Sequence, residues 1–80
     1  MKREDLRRAY YLESSIGSCE TILSQLDNDE KYVCMCYEAG GGFCANSFLP
    51  NQKEIKESIL QIIQKRKIDL EAELFLLLNP

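Results

Sequence analysis

The chain contains no histidine and no tryptophan, and it has only two prolines and four glycines among its 80 residues. Without histidine, the commonest general base and the commonest metal ligand are both missing. No run of about 18 apolar residues indicates a membrane-spanning helix. The first residues also lack the apolar core of a signal peptide, so we expect a cytoplasmic protein with no membrane partner.

The net charge of the chain argues against a nucleic-acid partner. The chain carries 13 acidic and 10 basic side chains, for a net charge of −3. Proteins that bind nucleic acids are usually basic, because phosphate neutralisation supplies most of their affinity. A nucleic-acid partner is therefore not expected. The remaining composition, 45% hydrophobic and 29% charged, is typical of an ordered domain, and we assign residues 1–80 to a single domain.

Cysteine is present four times, and its spacing bears on metal binding. Four thiolates can hold zinc, but structural zinc sites favour two cysteines separated by two residues, whereas Cys34 and Cys36 are separated by one. We expect small, buried, apolar side chains and no metal or other cofactor. A zinc or redox module remains an alternative, and its ligands would be Cys19, Cys34, Cys36 and Cys44.

The first third of the chain has the apolar spacing of an amphipathic helix. Intervals of three and four residues predict a helix over about residues 2–28, with Asn28 as a left-handed residue at its end. Gly17 and three nearby serines give the middle of this helix a surface of small side chains. The predicted seam consists of Ala9, Leu12, Ile16, Cys19, Leu23 and Leu26.

The middle of the chain predicts a β-hairpin over about residues 31–49. Two segments rich in β-formers flank the glycines at 40–42, which can adopt the positive φ angles of a tight turn. The register stays open. A two-residue turn pairs Tyr37 with Cys44, whereas a three-residue loop pairs Glu38 with Cys44 and places Cys44 on the face of Cys34 and Cys36.

The last segment predicts a second helix over about residues 51–78. Pro50 precedes it, and Asn51 with Glu54 matches the capping-box pattern. The wide apolar stripe of its first half suggests packing on both the hairpin and the first helix. Residues 74–78 are apolar on every side, which is not expected of a surface helix in a monomer and favours a homo-oligomer.

These elements predict an α+β fold in the order α-β-β-α. The two long helices would form an antiparallel coiled pair, joined by a two-stranded antiparallel hairpin, in a homo-oligomer. The charge pattern agrees with antiparallel helices, since residues 1–8 and 50–67 carry net charges of +2 and +3, whereas residues 9–30 and 68–80 carry −5 and −3. In that arrangement each block faces a block of opposite sign.

No catalytic site is predicted, because no activated nucleophile with a neighbouring base is evident. Candidate binding groups are basic and aromatic. Arginines beside tyrosines can hold an anion, a glycine run can form an anion-binding nest, and strand aromatics can stack on a base. Lys31, Tyr32, Lys53 and Lys56 are further groups that can meet a base or its phosphates. The predicted ligand-binding residues are Arg7, Arg8, Tyr10, Tyr11, Tyr37, Gly40, Gly41, Gly42, Phe43 and Asn46.

The whole pattern resembles short uncharacterised proteins of phage and mobile-element genomes. The resemblance rests on a long charged helix, a β-hairpin, the Leu49–Pro50 step and a helix that ends in leucines at 70–78. It implies a non-enzymatic homo-oligomeric binding protein that inhibits host defence by sequestering a nucleotide signal. An inhibitor or adaptor that binds a host defence protein, without a small-molecule ligand, is the alternative.

Overall fold

The computed structural model describes residues 2–39 and 43–80, and within 35–48 it describes the backbone alone. Two long helices, α1 (Arg3–Leu26) and α2 (Gln52–Leu78), are separated by two short strands, β1 (Cys34–Ala39) and β2 (Phe43–Phe48). The helices end within two residues of the bounds expected from the sequence. They run antiparallel and pack against each other along most of their length.

The core lies between α1 and α2. Leu12, Cys19 and Leu70 are the buried apolar residues of the described part, and Leu12 has no exposed surface at all. The two α1 residues belong to the seam predicted from the sequence, because a spacing of three and four residues keeps one side of a helix on its neighbour. The partly buried side chains around this cluster are Ile16, Ile63, Leu74 and Leu77.

The predicted α+β class is wrong. The described residues fold as a helical hairpin, in which α1 and α2 pack on each other, whereas the backbones of the two strands contact each other and neither helix. The expectation that α2 packs on both α1 and the hairpin is therefore wrong too. Strand propensity is a local property, and it does not determine whether a strand pair has a helix to cover its face.

Within the described residues, the two strands pair antiparallel with each other. Ala39 lies opposite Phe43 and Glu38 lies opposite Cys44. This register is the one that the sequence predicted for a three-residue loop between the strands. Residues 40–42 themselves lie outside the described residues.

Two predicted helix ends have a different geometry. Asn28 is not a left-handed cap, because its φ is not positive. The C-cap of α1 is Asp27, with a right-handed φ of −77°, and Asn28 opens a turn in which its carbonyl accepts the Lys31 N–H at 3.1 Å. Asn51, at φ 54° and ψ 52°, is the positive-φ non-glycine residue of the described part. It makes no side-chain cap, so the capping box with Glu54 is wrong, because a capping residue needs extended backbone angles.

The side chain of Gln52 fastens the start of α2 to the segment that follows α1. Its Oε1 accepts the Val33 N–H at 2.6 Å, and its Nε2 donates to the carbonyls of Val33 and Leu49 at 2.7 Å each. The amide thus satisfies the backbone of Val33 as a neighbouring strand would. No sequence pattern indicated this contact.

We expect Gln52→Ala to loosen this junction. Truncation leaves a half-buried N–H and two carbonyls without their partner, which typically costs about 1–3 kcal/mol of unfolding free energy. Thermal or urea unfolding measures the loss, and faster hydrogen exchange at the Val33 amide locates it. Gln61→Ala, at an exposed position of α2, is the matched control. Equal stability of the two variants would contradict the assigned role.

Two ion pairs link the helices. Arg8 Nε donates to Glu73 Oε1 at 3.1 Å, and a second guanidinium nitrogen bonds to the same oxygen. Lys67 Nζ lies 3.7 Å from Glu20 Oε1. The hydrogen bond to Glu73 raises the pKa of Arg8 above its already high value, so Arg8 stays charged. Both pairs join charge blocks of opposite sign.

The chain is one helix layer thick. Its principal extents are 46 × 33 × 16 Å and its radius of gyration is 16.3 Å, whereas a compact domain of this length has about 11.6 Å. A helix with its side chains is about 10–12 Å across. The smallest extent therefore leaves no room for a second layer over the described helices.

Candidate functional site

A groove of about 460 Å³ runs along one side of the helix pair. Its walls come from apolar side chains of both helices, and three carboxylates stand around them. We name it the helix groove. It is lined by Glu13, Ile16, Gly17, Glu20, Glu71, Leu74, Phe75, Leu78 and Asn79.

Gly17 leaves an opening in the wall of this groove. A Cβ atom built on Gly17 would meet no atom within 4 Å. Packing within the chain therefore does not require glycine here, although glycine in a helix interior costs about 1 kcal/mol relative to alanine. An external side chain can approach the α1 backbone closely at this point.

The N-terminal half of α1 carries an exposed, positively charged stripe, opposite in sign to the carboxylates of the helix groove. Arg3, Leu6, Arg7 and Tyr10 recur at intervals that place them on one side of the helix, and all four are exposed. Tyr10 is 75% exposed and Leu6 58%. We name these four residues the basic stripe. Because the helical repeat is 3.6 residues, the stripe continues into the groove residues Glu13 and Gly17.

The four predicted residues at 7, 8, 10 and 11 do not form one patch. Arg8 lies 5.2 Å from the centre of the Tyr11 ring and bonds to Glu73. Tyr10 projects about 100° away from Tyr11 around the helix. Arg8 therefore serves the contact between helices, with the Tyr11 ring beside its guanidinium group, whereas Arg7 and Tyr10 face outward on the basic stripe.

A second cavity, of about 300 Å³, lies where the end of α1 and the start of α2 meet the intervening segment. Its apolar wall includes Ile22 and Leu26 from α1. Lys31, Tyr32 and Lys56 bring two ammonium groups and a phenol ring to it. We name it the junction pocket.

Lys56 is held in place beside Tyr32. Its Nζ donates to the carbonyl of Asn28 at 3.0 Å and lies 6.0 Å from the centre of the Tyr32 ring. Lysine has three N–H donors, so this bond leaves it capacity for an anion. The sequence suggested Lys31, Tyr32 and Lys56 as binding groups, but the turn at Asn28 and the Gln52 contacts bring them together.

The cysteines divide between core and surface. Cys19 is buried in the helical core, and Cys34 is exposed. The side chains of Cys36 and Cys44 lie outside the described residues, as do those of Tyr37, Phe43 and Asn46 and the whole of residues 40–42. Within the described part, no three histidine, cysteine or acidic side chains are grouped to hold a metal ion.

Comparison with known proteins gives no relative: no family model, no curated sequence and no solved structure matches the chain. Neither α1 nor α2 is long and apolar enough to cross a bilayer.

Proposed function

We propose that the chain is a small non-enzymatic binding protein that acts as a homo-oligomer. The observation that carries this proposal is the single helix layer. Stable domains bury the apolar stripe of a helix between at least two layers, and here large apolar side chains stay exposed. Phe75 and Leu78, which are 64% and 46% exposed, lie in the last two turns of α2.

The exposed area supports the same proposal. The chain has an accessible surface of 6538 Å², whereas a compact monomer of 9.2 kDa exposes roughly 4900 Å². The difference is roughly 1600 Å² per chain. A standard protein–protein interface takes about 800 Å² from each partner, and obligate homodimers take more. Light scattering on the purified chain tests the oligomeric state, and a mass of one chain would contradict it.

The ligand that we propose for the junction pocket is a small anion with an aromatic ring, of the nucleotide type. The Tyr32 ring can stack on a base, and Lys31 and Lys56 can bind a phosphate. The cavity is at the lower end of the range for ligand pockets, about 300–1000 Å³. Sequestering such a signal would blunt a host defence, as the resemblance to phage proteins implies.

Calorimetry with nucleoside mono-, di- and cyclic phosphates tests the ligand. We expect one of them to bind, and Lys56→Met to weaken that binding at least about tenfold, since the variant removes a charge from the phosphate site and keeps the apolar stem. Lys65→Met, on the exposed face of α2, is the control for loss of charge. If none of these nucleotides binds, the alternative of a protein partner is left. A pull-down that recovers one stable partner would support that alternative.

A further inference from the structure

We infer that the helix groove and the basic stripe are the two halves of one self-complementary surface, on which a second copy of the chain docks about a two-fold axis. This inference rests on the proposed self-association and names the face that carries it. The partner copy supplies the basic stripe to the groove and receives the reverse contact.

Charge separates the two halves of this surface. The groove carries Glu13, Glu20 and Glu71, and the basic stripe carries Arg3 and Arg7. Glu20 also contacts Lys67 within its own chain, but it is 58% exposed and can accept a second cation. Two-fold dimers require a surface that complements itself, so that residue i meets residue j and j meets i. A face that is basic at one end and acidic at the other meets this condition when two copies run antiparallel.

Residue spacing fixes where the axis passes. Tyr10 and Gly17 are seven residues apart and are centred between residues 13 and 14. An axis at this point sets each Tyr10 over Gly17 of the partner copy. Seven residues correspond to two turns, about 10.5 Å, so Tyr10 and Gly17 lie on the same side of α1.

The shapes agree with this placement. Tyr10 is a large, exposed ring with no role in the core, and Gly17 offers open space at the groove wall. Phe75 and Leu78 from α2 line the same groove. A second copy that covers this face would bury these apolar side chains together, and it would supply the second layer that the helix pair lacks.

Adjacent tyrosines give a matched test of the face. We expect Tyr10→Ala to raise the dimer dissociation constant at least about tenfold, whereas Tyr11→Ala, which faces away from the groove, should change it less than threefold. Sedimentation equilibrium measures both. Circular dichroism checks that each variant keeps its helices.

Substitution of Gly17 gives a test in which helicity and dimer stability are expected to change in opposite directions. Leucine favours a helix relative to glycine, and the open space at Gly17 accepts a side chain without a clash inside the chain. Gly17→Leu should therefore keep or raise helicity while it obstructs the partner copy's tyrosine and promotes dissociation. Ser18→Leu, one residue further round the exposed surface, should leave the dimer intact.

The possible outcomes distinguish a wrong interface from an absence of self-association. A monomeric wild-type chain would overturn both proposals and leave the groove to a partner of another kind. A wild-type oligomer that survives both Tyr10→Ala and Gly17→Leu would overturn the face alone. Arg7→Glu and Glu20→Arg should each weaken the dimer, because each reverses a charge in one half of the surface. An Arg7→Glu variant with intact helicity and an unchanged dissociation constant would contradict the charge complementarity of the two halves.

Discussion

Replacing Leu12 with alanine should lower the free energy of unfolding by about 2–5 kcal/mol, the usual cost of truncating a buried leucine. Leu12 has no exposed surface and lies in the small core with Cys19 and Leu70. A domain of fewer than about 80 residues rarely has more than 3–5 kcal/mol of stability to lose. We therefore expect Leu12→Ala to be largely unfolded at room temperature.

Leu76→Ala is the control for this prediction. The same chemical change at a side chain that is 68% exposed should cost within about 0.5 kcal/mol. Urea unfolding followed by circular dichroism measures both variants. A loss below about 1 kcal/mol for Leu12→Ala would contradict the helical core described above.

Replacing Phe75 with glutamate should dissociate the oligomer. Phe75 is 64% exposed in the single chain and lines the helix groove, so the monomer should tolerate the charge. In an oligomer that covers the groove, the same carboxylate would be buried without a partner, which is strongly unfavourable. We expect the dissociation constant to rise at least about a hundredfold.

Leu76→Glu is a closely matched control. Leu76 is adjacent, is 68% exposed, and is not among the groove residues. Both variants place a carboxylate near the C-terminal end of α2, so both pay the same small penalty against the helix dipole. Sedimentation equilibrium should show dissociation for Phe75→Glu alone. Equal behaviour of the two variants would contradict a role for the groove.

The helical part of the fold could be predicted from the sequence because the spacing of its apolar residues repeats along each helix. The spacing from Ala9 to Leu26 indicates one buried side over more than four turns, and that side is the one that packs. The charge blocks likewise predicted which ends of the helices meet, as the contacts of Arg8 with Glu73 and of Lys67 with Glu20 show.

The remaining features depend on single long-range contacts. The β-rich segments predicted strands, but they gave no information on what would cover them, and so the α+β class was wrong. The contacts of Gln52 with Val33 join residues 19 positions apart through one amide, and nothing in the local pattern indicates them. The junction pocket depends on those contacts. The sequence could therefore predict which residues are suited to bind a ligand, but it could not predict that they lie close together.

The absolute mass of the purified chain in solution, measured by light scattering at micromolar concentration, tests self-association most directly. We expect a mass that is a whole-number multiple of 9.2 kDa, and two chains if the groove and the basic stripe form the interface. Because the helix pair has one layer and an excess of exposed apolar surface, the folded single chain should not persist under these conditions. A folded, helical species of 9.2 kDa would contradict this expectation.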